Sequence, residues 1–299
     1  MKNMILTTDS GICAIKKADS VVIPAQLISS NGNTIPDDGQ ISNEKILKDM
    51  KDGIVYKTAS PLLGDYEYTF RSILEKGKDV IHLSMSSGIS EGSVNSANLV
   101  ANELNDEYKN QVYIIDSLTG ATGGTLLYEL AYKIILNNKF SAEQVVTYLN
   151  ELKTRIQTSF YVPNIEGYIR SGRDKTSSHV VDNALIAATK LVKAAAFKFR
   201  VDFHESGDLQ FKKIFRSSDQ NGMEKMVKDI VNDKTIENYD PILVVVGNLY
   251  KDKVDMDKIK DYLLSFNYFK GIIEEEIGSV VAAYGCNDLC GIALVKKHQ

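Results

Sequence analysis

The sequence predicts a two-domain α/β protein: a parallel sheet between helix layers in the first half, and a mixed or antiparallel sheet with helices on one side in the second. Three observations carry this. Short β-branched runs alternate with amphipathic ones through the first half, the runs there end in polar turns, and strand-like runs follow one another directly in much of the second half. A chain of 299 residues is long for one domain and comfortable for two, which places domains at 1–158 and 159–299.

Taken in order, Met4 to Thr8, Val21 to Ile28, Asp79 to Met85 and Gln111 to Asp116 are short, rich in β-branched residues and followed by turn residues, and so read as strands. Helical patterns occupy Asn43 to Met50, Leu62 to Glu75, Val94 to Tyr108, Gly124 to Leu136 and Ala142 to Ile156. The last opens on Ser141-Ala142-Glu143-Gln144, a capping-box spacing in which the Ser side chain bonds the amide three residues on. In open α/β sheets ligands collect at the carboxyl ends of strands. The turns Asp9-Ser10, Ser86-Ser87 and Asp116-Ser117 stand at those ends.

In the second half, Thr158 to Pro163, Ala195 to Phe203, Leu209 to Phe215, Pro241 to Gly247, Gly271 to Ala283 and Gly291 to Lys296 read as strands. Glu205-Ser206-Gly207-Asp208 joins two of them as a hairpin turn. Helices are expected at Asn183 to Val192, Met223 to Asn232 and Asp257 to Phe266.

Composition narrows the function classes. A formal charge of -4 argues against a nucleic-acid surface, which needs a basic excess. No apolar run approaches the roughly 20 residues that span a bilayer, and the first residues lack the cleavage site of a secretory signal. Three cysteines, Cys13, Cys286 and Cys290, imply no disulfide framework, so a reducing cytoplasm is expected.

Several clusters could carry chemistry. Ser84 to Ser93 is Ser-rich between a strand and a helix, where hydroxyls and free amides cradle an anion; helix capping explains the same residues equally well. Within it Gly88-Ile89-Ser90-Glu91-Gly92 fits G-x-S-x-G, the nucleophile elbow of serine hydrolases. That reading needs a His after Ser90, and His179, His204 and His298 all sit in poor contexts for it. Lys57-Thr58-Ala59-Ser60-Pro61 opens a helix, which Pro favours. Thr119 to Thr125 is Gly-rich but lacks both the P-loop ending and the dinucleotide spacing. Arg170, Arg173 and Arg216 offer planar donor forks suited to a carboxylate or phosphate. Cys286 and Cys290 lack partners for a zinc site, and His82, inside an apolar strand, is read as packing. No cofactor is expected.

Together these segments resemble the DegV family, bacterial fatty-acid-binding proteins that serve as acyl-carrying subunits of fatty acid kinase. The resemblance runs from Thr8-Asp9-Ser10 to Gly291-Ile292-Ala293-Leu294-Val295. The family's T-S-Q-P segment appears as Thr58-Ala59-Ser60-Pro61, its S-S-x-L-S-G-T turn as Ser86 to Gly92, its V-I-D-S strand end as Ile114 to Ser117, and its G-G-R turn as Ser171-Gly172-Arg173. It implies a four-stranded parallel sheet between helix layers, then a two-layer domain with a mixed six-stranded sheet. It also implies a non-catalytic carrier holding a long-chain fatty acid between its domains, the carboxylate on Thr58 and Ser90, with Arg173 and Arg216 near the cleft and a separate fatty acid kinase as partner. Storage or sensing of a lipid without a kinase, and a serine hydrolase using Ser90, are the alternatives. The sequence departs from the family at Tyr284, which stands where the family carries a head-group His, and at Glu91, which adds negative charge beside Ser90.

Overall fold

The computed structural model describes residues 3–12, 17–163, 197–216, 218–249, 254–283 and 289–298. The first sheet has the order β2-β1-β6-β7 and is parallel throughout, formed by β1 (Met4–Asp9), β2 (Ser20–Ile23), β6 (Asp79–Ser84) and β7 (Val112–Asp116). Strand β1 is buried along nearly its whole length, as a strand covered on both faces must be. One cover is α2 (Leu63–Leu74) with α3 (Ser87–Glu107), which bury Phe70, Ile73, Ala97 and Leu104 on Val80 and Val112. The other is α4 (Ala121–Asn137) with α5 (Ala142–Lys153), whose Leu126, Leu127, Val145 and Leu149 pack on Leu6, Ile81 and Ile115.

The second sheet has the order β10-β9-β8-β13-β11-β12, formed by β8 (Ile156–Val162), β9 (Phe197–Phe203), β10 (Leu209–Arg216), β11 (Val244–Asn248), β12 (Ile272–Glu276) and β13 (Cys290–Val295). Its pairs are antiparallel except β11 with β12, so it is mixed. One face carries α6 (Asp219–Ile230) and α7 (Met256–Leu264) over Val244, Val246 and Ile292. The other meets α4, since Val245 and Ala293 share a core with Leu126. Both sheets therefore match the architecture expected from the sequence, and α4 lies between them. Among the described residues no helix is long and apolar enough to cross a membrane.

Several elements differ locally from the sequence reading. The run Val21 to Ile28 breaks at Pro24–Ala25. Its second part, β3 (Gln26–Ser29), leaves the parallel sheet for a small antiparallel sheet with β4 (Thr34–Pro36) and β5 (Tyr56–Ala59), in the order β4-β3-β5. Pro lacks the amide needed to continue a ladder, and the Ser10 hydroxyl takes the Ala25 amide instead at 3.1 Å. Helix α3 starts seven residues earlier than its apolar periodicity suggests, capped by Ser86, because its first turns carry Gly and Ser rather than apolar residues. Gly271 to Ala283 is not one strand: β12 ends at Glu276, and Gly278 caps the short helix α8 (Ser279–Ala282). The capping box opening α5 forms as expected, with both reciprocal bonds present. The helix expected at Asn183 to Val192, together with Cys13, Arg170, Arg173, His179, Tyr284 and Cys286, lies outside the described residues.

Candidate functional site

The carboxyl ends of β1, β6 and β7 converge with β5 and the β9–β10 hairpin. Asp9 ends β1 and is 1% exposed. Its Oδ1 accepts the Tyr66 phenol at 2.7 Å, and its Oδ2 accepts the Ser84 hydroxyl at 3.0 Å and the Met85 amide at 2.9 Å. Burial by itself would raise its carboxyl. His82 beside it, with Nε2 3.3 Å from Oδ1, and these donors outweigh burial and hold Asp9 below the usual carboxylate range. The register of β1 on β6 sets Thr7 opposite His82, whose Nδ1 lies 2.9 Å from the Thr7 hydroxyl. His82 thus belongs to a buried polar cluster. Reading it as packing from its apolar flanks missed this, because Asp9 and Thr7 reach it only through sheet pairing.

Ser86, Ser87 and Gly88 form the turn into α3. The Ser86 hydroxyl donates to the Gly207 carbonyl at 2.8 Å, and Asp116 accepts the Ser87 hydroxyl at 2.6 Å and the Ser87 amide at 3.1 Å. Gly207 sits at φ +80° in the expected hairpin turn, closed by the bond from the His204 amide to the Asp208 carbonyl at 2.8 Å. A Cβ on Gly88 would fall 2.4 Å from the Gly207 carbonyl carbon, so this glycine lets the hairpin of the second sheet rest on the Ser-rich turn.

Within its first turn the helix kinks at Ser90, whose backbone is non-helical at φ -144°, ψ 63°. Its half-buried hydroxyl is 2.8 Å from the Ser93 hydroxyl. Ser93 is buried, and its side chain pulls the Tyr66 phenol down. Burial and Asp9 push the Tyr66 phenol far up, so it stays protonated.

Thr58 lies on β5, half-buried, opposite Leu27 of β3. The segment that carries it reaches α3: a Cβ on Gly92 would be 2.8 Å from the Ser60 hydroxyl oxygen. Leu27 belongs to an apolar cluster with Tyr56, Ala121, Phe160, Phe199 and Ile277, against which Ile35, Met50, Phe203, Leu209 and Phe211 are only partly buried. Arg216 is exposed at the end of β10. The glycine-rich start of α4 serves close packing. A Cβ on Gly124 would be 2.5 Å from the Ile12 carbonyl oxygen, and one on Gly123 would overlap the Thr158 and Thr119 hydroxyls.

The described histidines other than His82 have partners other than Ser90. His204 Nδ1 is 2.8 Å from the Ser206 hydroxyl in the hairpin, and His298 Nε2 is 2.8 Å from Glu151. Sequence reasoning also missed Glu275, 5% exposed at the end of β12. Its carboxyl accepts from Thr125, while among the described residues Oε1 has no hydrogen-bond partner, and Glu275 lines a small cavity with Ser10, Gly11, Ala121 and Gly278. Burial pushes it up to about 7 against the pull of the Thr125 and Thr122 hydroxyls.

Comparison with known proteins gives a consistent picture. The model of the DegV family, described as uncharacterised proteins, matches residues 4–297. A DegV domain-containing protein of Ureaplasma parvum is 27% identical over 58% of this chain and 57% of its own length. A fatty acid-binding protein of Thermotoga maritima is 28% identical over 76% of this chain and 74% of its own. Among solved structures, a fatty-acid-binding DegV protein from Thermus thermophilus superposes with a TM-score of 0.80 at 21% identity, covering 99% of this chain and 100% of that one. The Streptococcus pneumoniae fatty acid kinase B3 protein, loaded with linoleic acid, superposes with a TM-score of 0.80 at 17% identity over 99% of this chain and 100% of that one. A Eubacterium eligens DegV protein loaded with heptadecanoic acid gives 0.81 at 18% identity over 98% and 100%. At these identities the structural likeness speaks to fold.

Proposed function

The chain belongs to the DegV family, and from that premise we propose that it binds a long-chain fatty acid between its two halves, the carboxyl group meeting Thr58 and Ser90. The observation that carries this reading is the approach of the Thr58–Ser60 segment to Gly92, which brings together two hydroxyl-bearing segments far apart in sequence, with an apolar cluster around Leu27, the strand partner of Thr58. The bound fatty acids of the solved relatives support the ligand class. A carboxyl group leaving bulk water needs hydrogen-bond partners, and hydroxyls at strand and helix ends supply them. Burial of the tail contributes roughly 0.8 kcal/mol per CH₂ before ordering costs, so the head-group contacts set orientation more than affinity.

The protein acts as a carrier that presents the acid to a separate fatty acid kinase. The likeness to the kinase B3 protein supports that partner. Tyr284 in place of the family His favours a second reading, storage or sensing without a kinase, because a phenol with a pKa near 10 does not shuttle protons at neutral pH.

Mass spectrometry of lipid extracted from the purified protein should return a stoichiometric fatty acid, and its repeated absence would sink the proposal. Thr58→Ala and Ser90→Ala should each weaken fatty-acid binding about tenfold, the loss of roughly 1.5 kcal/mol per hydrogen bond to an ionised or strongly polar group. Specific labelling of Ser90 by a fluorophosphonate would point instead to a hydrolase.

A further inference from the structure

Thr58 stands on a strand of the small sheet and Ser90 on a helix of the first domain, and the end of β1 ties the two segments together. Asp9 accepts from both sides. Its Oδ1 takes the Tyr66 phenol of α2 at 2.7 Å, and its Oδ2 takes the Ser84 hydroxyl at 3.0 Å and the Met85 amide at 2.9 Å. Tyr66 lies near the start of the helix into which Thr58 to Pro61 leads, and Ser84-Met85 leads into the turn that carries Ser90. Beside it, the Ser10 hydroxyl accepts the Ala25 amide at 3.1 Å at the entry to β3, whose Leu27 pairs with Thr58. The dipeptide Asp9-Ser10 thus reaches the Thr58 segment twice, through β3 beside it and α2 after it, and the Ser90 segment once.

This clamp is specific to a carboxylate. Asp9, Tyr66 and Ser84 are all buried, so solvent does not replace a lost partner. A carboxylate accepts on both oxygens, whereas a carboxamide accepts on one end and donates on the other. The Met85 amide can only donate, so Asp9→Asn must keep its amide oxygen on the Ser84–Met85 side and turn its NH₂ toward Tyr66. That substitution keeps the arm to α3 and reverses the polarity of the arm to α2. Tyr66→Phe removes the same arm from its other end. It keeps the ring that packs on Phe70 and His82, and it leaves His82 Nε2 3.3 Å from Asp9.

We propose that Asp9 is a positioning residue of the head-group site: through Tyr66 it fixes α2 behind Thr58, through Ser84 and Met85 it fixes the turn before Ser90, and it thereby sets the separation at which the two hydroxyls meet a carboxyl group. The inference rests on the fatty-acid reading above and adds to it the buried group that sets head-group selectivity. A carboxyl group has two oxygens and meets both hydroxyls only at the right separation. An alcohol has one oxygen and needs only one of them. Preference for an acid over the alcohol of the same chain is therefore a property of the clamp.

Displacement of a fluorescent fatty-acid analogue from the full chain measures the affinities for oleate and for oleyl alcohol, which share a chain and differ in head group. Wild type should prefer oleate. Tyr66→Phe and Asp9→Asn should each weaken oleate about tenfold and leave the alcohol within about twofold, whereas a general loosening of the fold would weaken both ligands alike. Because the two substitutions break one arm, Tyr66→Phe should cost less in the Asp9→Asn background than in wild type. Tyr66→Phe, which keeps the ring, carries the test even if Asp9→Asn does not fold. Undiminished oleate affinity in Tyr66→Phe, an equal loss for acid and alcohol, or a wild type that binds the two equally would each overturn the inference. The fatty-acid reading stands in those cases as long as Thr58→Ala and Ser90→Ala still weaken oleate. No binding of oleate or of any other fatty acid by the wild type would bring down that reading and this inference together.

Discussion

Asp9 and Glu275 are both buried carboxyl groups, and their neighbours drive them in opposite directions. Asp9 has His82, a phenol, a hydroxyl and an amide around it and stays ionised. Glu275 has the Thr125 hydroxyl on one oxygen and, among the described residues, no hydrogen-bond partner on the other, so burial wins and it titrates at about 7. In the unfolded chain the same Glu titrates near 4.5. Between those two values the folded state holds a proton that the unfolded state has released, so stability falls as pH rises through this window and levels off above it. The gap corresponds to about 3 kcal/mol. Glu275→Gln should therefore be more stable than wild type at pH 8 by several degrees of melting temperature, with the difference closing near pH 4.5. A constant difference across that range would mean that Glu275 does not titrate in this window. None of this was legible from the sequence, where Glu274-Glu275-Glu276 reads as three equivalent acids on a strand end. Only the sheet decides which of them turns under α4.

At the scale of elements, the turn into α3 concentrates several jobs in few residues. Ser86 holds the hairpin carbonyl, Ser87 holds Asp116 at the end of β7, and the kink at Ser90 turns its hydroxyl toward Ser93. The Ser and Gly content of this stretch was visible beforehand, as was the hairpin at Glu205–Asp208. That the hairpin rests on Gly88 was not, because the two are 119 residues apart. Gly88→Ala puts a methyl into the Gly207 backbone, and overpacking of this kind costs roughly 1–3 kcal/mol. The expected result in hydrogen exchange is faster exchange of the His204 and Gly207 amides, with little change along β6. Unchanged protection in the hairpin would show that the contact gives way without cost. The same logic explains the start of α4, where a glycine-rich segment that could suggest a phosphate loop instead allows a helix to lie against Ile12 and the second sheet.

For the whole molecule, α4 lies between the two sheets and contributes to the burial of both, so the halves share a core and should respond together to a ligand held between them. A fatty acid present at a hundred times its dissociation constant should raise the unfolding free energy by about 2.7 kcal/mol, seen as one melting transition moving up by several degrees. The shift should grow with the logarithm of ligand concentration, and a melting temperature indifferent to concentration would contradict binding to the folded state.

The sequence by itself determined the order and kind of most elements, the two sheets, the family and the polar turns at the strand ends. These are written in local signals, namely side-chain periodicity, caps and short motifs, which act over a few residues. Tertiary structure alone decided that Pro24 diverts β3 into a third sheet, that Thr7 and Asp9 meet His82, and that Tyr66 meets the buried carboxylate of Asp9. Those partners are fixed by strand register and helix packing between distant segments. Their hydrogen bonds matter because burial removes the water that would otherwise have served each group.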